Sequence, residues 1–118
     1  MDKAKRKELM EKYKLMKPDM GLFIIRSKFN NKCYVENTLD IKSRINSTMF
    51  KLKSGGHPNR ELQRDWLEHG DEYFSVDILE KLEYKNDDNN YNYSDDLTLL
   101  QMIWEEKLLK ENFEFYKK

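Results

Sequence analysis

Three side chains of this 118-residue chain pair reactive chemistry with regular spacing. Tyr34 lies in a short β-prone run, Arg44 comes ten residues later, and His57 comes directly after the double glycine Gly55-Gly56. Arg44, Thr48 and Lys51 fall at i, i+4 and i+7, so on a helix they share one face. A guanidinium there suits two-pronged contact with a phosphate. Each residue also has a plainer reading. A strand tyrosine is by default a packing residue with a wet hydroxyl. Arg44 and its neighbours would then be a solvated helix face, and His57 an exposed loop histidine. His69, just before Gly70, is assigned only a favourable place at a helix C-terminus. Cutting a phosphodiester needs a deprotonated attacking oxygen, positive charge on the phosphate oxygens and, usually, a divalent metal held by a carboxylate.

The elements that must position these groups are legible. Leu22–Ile25 and Cys33–Val35 are apolar and β-prone, and Asn30-Asn31-Lys32 between them supplies turn chemistry, which predicts a hairpin. Thr38 or Asp40 caps a helix to about Lys53, with Ile41, Ile45, Met49 and Leu52 as its buried stripe. Gly55-Gly56 stops it. Asn59 caps a further helix, with Leu62, Trp66 and Leu67 turned inward and Gly70 at its end. Phe74, Val76 and Ile78 alternate along a third strand over residues 73–82. Residues 85–96 are rich in Asn and Asp and read as a loop. Asp95 or Asp96 caps a last helix with an apolar face of Leu97, Leu100, Ile103, Trp104 and Leu108. Phe113, Phe115 and Tyr116 tuck a tail onto the body. Ahead of all this, residues 2–17 read as a helix ended by Pro18, either packed on the domain or an arm for a partner.

In its hairpin, Arg44 and glycine-histidine turn, the chain resembles the GIY-YIG nuclease family from Gly21 to about Leu109. Gly21-Leu22-Phe23 stands at the first triplet and Tyr34-Val35-Glu36 at the second. The resemblance implies two strand tyrosines that handle the water and orient the phosphate. It also implies an arginine that stabilises charge, a histidine or tyrosine helper one turn later, and a glutamate that binds one magnesium or manganese ion. Tyr34 and Arg44 match, and His57 stands where the family often has a histidine.

Departures from that pattern fall on the chemistry. Phe23 replaces the first tyrosine and removes its hydroxyl. Thr48 replaces the helper, Glu36 the glycine that closes the second triplet, and Gln101 the metal-binding glutamate. A neutral amide is a poor ligand for a hard divalent cation. Losing such a ligand costs on the order of a thousandfold in rate. Glu36, Glu105 or Glu106 are the carboxylates left to replace it, and the last two have to rotate by a third of a turn or more from the expected face. Asn112 is a weak match to an asparagine near the family's end.

Composition bounds the rest. At 38% hydrophobic and 37% charged, with six Phe, seven Tyr and two Trp, this is a soluble single-core chain and not a disordered one. Net charge is zero but divided: residues 1–60 carry fifteen Lys/Arg against six Asp/Glu, residues 61–118 seven against sixteen. A basic face that meets an anion is one reading, and chance pairing of the two halves in the fold is the other. No apolar run of about eighteen residues exists, so no membrane span is expected. The lone Cys33 and the absence of an apolar signal core fit a reducing cytoplasm.

The expectation is therefore an α/β domain over residues 21–118, a three-stranded antiparallel sheet flanked by helices, with a helix over residues 1–20 added. It would be nuclease-impaired, need no cofactor, and bind nucleic acid, DNA foremost, through Arg44, Lys51 and Lys53. The alternatives are an active Mg- or Mn-dependent endonuclease with a relocated ligand, and a non-catalytic interaction module, homodimeric through the N-terminal helix.

Overall fold

Asparagine chemistry closes the central hairpin. Asn30 Oδ1 accepts the Lys32 amide at 3.0 Å, and the chain reverses between β1 (Met20–Ser27) and β2 (Lys32–Thr38). The structure is a computed structural model that describes residues 3–6, 17–85 and 91–117. Residues 3–6 are helical; the rest of the expected N-terminal helix, and with it the dimer reading, lies outside the described residues.

Asp40 caps α1 (Ile41–Ser54) by accepting the Ser43 amide, and Asn59 caps α2 (Arg60–His69) by accepting that of Leu62. A short 3-10 turn leads into β3 (Phe74–Leu82), and α3 (Tyr93–Lys110) and β4 (Glu114–Phe115) complete the order. Asn92, not Asp95 or Asp96, caps α3, so both acids fall in its first turn, where the helix dipole favours them. The sheet runs β3-β1-β2-β4. Its three expected antiparallel strands are joined by β4, which pairs parallel to β2 through only two residues. That extra strand carries the aromatic tail home, since Tyr116 is buried beside Phe23, Ile25 and Trp66.

Alternation along the strands divides the core between two faces. Phe23 and Ile25 point toward Leu52 of α1 and Leu62 and Trp66 of α2. Ile24, Cys33 and Val35 point toward Leu108 of α3. A register shift in the β1–β3 pairing lies between Leu22 and Phe23 and leaves Leu79 as the extra residue. Leu79 packs against the α3 side, while Ile78, expected inside, is exposed. Gly21 lies beside this irregularity. A Cβ there would stand 2.1 Å from the Glu80 carbonyl oxygen, so only glycine fits.

Two helical expectations are corrected. Leu67 is exposed, because α2 buries Leu62, Gln63 and Trp66 instead. Ile103 is also exposed. The side of α3 turned to the sheet carries Leu97, Gln101, Trp104, Glu105 and Leu108, a stripe rotated from the purely apolar one. No helix among the described residues is long and apolar enough to cross a membrane.

Candidate functional site

Residues two apart on a strand share a face, and directly opposed residues of paired strands do too. Tyr34 and Glu36 of β2 therefore point to the side of Phe23 and Ile25, their opposite numbers on β1. The α1 helix crosses that side and brings Arg44 onto Glu36. Arg44 Nε lies 2.6 Å and Nη2 2.5 Å from Glu36 Oε1, while the Tyr34 hydroxyl donates to Glu36 Oε2 at 3.0 Å. His57 completes the group, its ring edge-on to Tyr34 with centroids 5.2 Å apart. Tyr34, Arg44 and His57 are thus together, as the resemblance implied, with Glu36 among them.

His57 is buried, not an exposed loop residue. Its Nδ1 accepts the Asn59 amide at 3.0 Å, and its own amide donates to Gln63 Oε1 at 2.9 Å. Gln63 Nε2 in turn donates to the Leu52 carbonyl at 2.8 Å, tying the glycine turn to the last turn of α1. Burial pushes the imidazole below its ordinary value, and Lys51 and Arg44 add to this. An amide aimed at Nδ1 requires that nitrogen bare, so the ring is neutral near pH 7. Tyr34 is pushed well above the ordinary phenol value, first by burial, then by the charge and hydrogen bond of Glu36. Its hydroxyl is a donor, not a ready base. The Cys33 thiol is raised to about 11 by burial and is chemically quiet.

The substituted positions behave differently from one another. Phe23 is fully buried and fills the core beneath the site. Thr48 is buried within α1. Gln101 reaches β2, where its Oε1 accepts from Asn37 Nδ2 at 2.5 Å and its Nε2 donates to the Val35 carbonyl at 3.3 Å. Gln101 and Glu105, one turn apart, line a pocket of about 90 Å³ with Tyr34, Asn59 and Tyr116. Glu105 thus needs no rotation to face Gln101's side, whereas Glu106 is exposed and pairs with Lys110 at 3.5 Å. Lys53 is exposed and Lys51 half-buried. Asn112 ends α3 with a positive φ, and its carbonyl accepts from Asn31. This is a structural part.

Comparison with known proteins fits this geometry. No family model matches the chain. Intron-associated endonuclease 1 of Enterobacteria phage T4 is 34% identical over 67 residues, 57% of this chain and 27% of that protein. The matched region thus spans about a quarter of that relative's length. The solved catalytic domain of homing endonuclease I-TevI superimposes with a TM-score of 0.65 at 26% identity, over 84% of this chain and 99% of that one. A glutamate-to-alanine mutant of the same domain does so at the same score, over 92% of its length. These matches support the resemblance to GIY-YIG-type nucleases. The hairpin of this GIY-YIG-like domain carries Phe23 and Glu36 at the positions of the two triplets, and its last helix carries Gln101.

Gln63, Asn37 and Asn59 escaped the sequence reading as site residues. Gln63 left a usable signal, a polar residue on the apolar stripe of Leu62 and Trp66. Asn37 left none, because its partner comes from a helix 64 positions away.

The donors around Tyr34 do not suit the magnesium or manganese ion that the family implies. Both oxygens of Glu36 are committed, one to Arg44 and one to Tyr34. The Gln101 carbonyl is neutral and already accepts from Asn37. A hard divalent cation calls for anionic oxygen, and the pocket offers only Glu105.

Proposed function

We propose that this GIY-YIG domain does not cut, and that it binds nucleic acid, DNA foremost, by its phosphates. One observation carries the reading: the Glu36 carboxylate joins Arg44 to Tyr34, holding the very cation and hydroxyl that would have to engage the scissile phosphate. With Tyr34 held protonated and Gln101 in place of an acid, neither water activation nor metal binding is supplied.

Binding has other support. Arg60 and Arg64, one turn apart on the exposed face of α2, line a groove with Gly55, Gly56 and His57. They line a second groove with Lys117. Lys51 and Lys53 sit in the last turn of α1, just ahead of the Gly55-Gly56 turn that lines the first groove. Such a basic rim contacts phosphates without reading bases, so affinity should fall steeply with salt, by about 0.7 to 0.9 log units per log unit of salt for each phosphate neutralised. Titration of a labelled duplex at several salt concentrations, with Arg60→Ala/Arg64→Ala beside the parent, tests this. A flat salt dependence, or no loss in the double variant, removes the binding half of the reading.

One observation favours a second reading. Glu105 is the one carboxylate lining the pocket that Tyr34 also lines. That reading makes the chain an active Mg- or Mn-dependent endonuclease whose cleavage disappears in Glu105→Gln.

A further inference from the structure

The Glu36 carboxylate does more than neutralise a neighbour. Its Oε1 takes two guanidinium N–H groups, at 2.6 and 2.5 Å, and its Oε2 takes the Tyr34 hydroxyl at 3.0 Å. Three donors thus converge on two oxygens of one anion. A phosphate presents the same pair of oxygens at similar spacing, and arginine accepts carboxylate and phosphate alike. Here the anion is tethered. Glu36 lies two residues from Tyr34 on the same face of β2, so its effective concentration at these donors far exceeds that of a free ligand. The Glu36 side chain is only 17% exposed against 41% for that of Arg44, so the carboxylate is the inner partner and the guanidinium reaches outward to solvent.

We infer that Glu36 is a built-in occupant of an oxyanion site formed by Arg44 and Tyr34, which competes with an incoming phosphate and keeps the site closed. The inference rests on the proposal that this cleft faces phosphates, and it adds a specific inhibitor to it. The basic rim of Arg60 and Arg64 can hold a nucleic-acid backbone while the inner site stays shut. Displacement of Glu36, or its replacement by a residue without a carboxylate, opens the inner site to a phosphate or diphosphate group.

Inorganic pyrophosphate is the probe, because it bypasses the rim's need for a long backbone. Its binding is measured by calorimetry on the intact chain, on Glu36→Ala, on Glu36→Ala/Arg44→Ala, and on Glu72→Gln as a control of equal charge change. The expected result is a gain of about tenfold or more in Glu36→Ala, within the range for charge-assisted hydrogen bonds regained. That gain is lost in the double variant and absent in Glu72→Gln. Glu36→Gln, which keeps the side chain's length, replaces the alanine variant if the latter fails to fold, with a smaller gain expected. No gain in either variant, or a gain that survives loss of Arg44, overturns the inference. A duplex that fails to bind the parent chain, together with an Arg44-dependent pyrophosphate gain, refutes the binding proposal and leaves the inner site standing.

Discussion

Arg44 Nε lies 2.6 Å from Glu36 Oε1, and the two side chains are unequally exposed, the carboxylate being the more enclosed. Removing the cation therefore strands a partly desolvated charge, while removing the acid leaves a guanidinium that water can reach. Arg44→Ala is expected to lose about 1 kcal/mol of stability, and Glu36→Gln under about half of that, given how far solvent screens the pair. Urea denaturation of both variants measures the asymmetry. Equal losses would show that the carboxylate is no more enclosed than its partner.

Gln63 spans two backbone groups, the His57 amide and the Leu52 carbonyl, in a buried setting. Gln63→Leu keeps the volume but leaves both groups unsatisfied, at an expected cost of about 2 to 4 kcal/mol. The imidazole resonances of His57 should shift with it, because the turn that places the ring loses its brace. A stable variant with unmoved His57 signals would mean that the glycine turn holds itself.

The pH dependence of stability is set in part by His57. Burial lowers its folded-state value below the ordinary 6.5, so the folded ring stays neutral where the unfolded ring takes a proton. Between the lowered value and about 6.5 the unfolded chain holds more protons, so stability rises with pH across that window and falls on acidification. In His57→Gln the slope between about pH 5 and 7 should be shallower than in the parent, as measured by urea midpoints. An unchanged slope would mean that the imidazole gains its proton equally in both states.

Much of this fold was legible in the chain, for local reasons. Asn30, Asp40 and Asn59 announce a turn and two caps because their side chains bond amides two or three residues on. The grouping of Tyr34, Arg44 and His57 was implied by the resemblance to the GIY-YIG family, with the hairpin, the helix and the glycine turn as the elements that would position them. What was not legible depends on long-range docking. The rotation of α3, which turns Gln101 and Glu105 inward and exposes Ile103, is set by how that helix meets β2. The β3 irregularity at Leu79 lies beside Gly21 of the paired strand, far away in sequence. The embrace of Glu36 by Arg44 and Tyr34 needed the distances themselves. From the sequence, Glu36 stood out only as a lost glycine and a carboxylate left to replace the metal ligand.

Cleavage is the most direct test of the central claim, that this domain does not cut. Supercoiled plasmid is incubated with the purified, unmodified chain and Mg²⁺ or Mn²⁺, with EDTA as control, and nicked and linear forms are quantified against time. No nicking above the EDTA control is expected. Divalent-ion-dependent nicking that is abolished by Arg44→Ala or Glu105→Gln would contradict the claim.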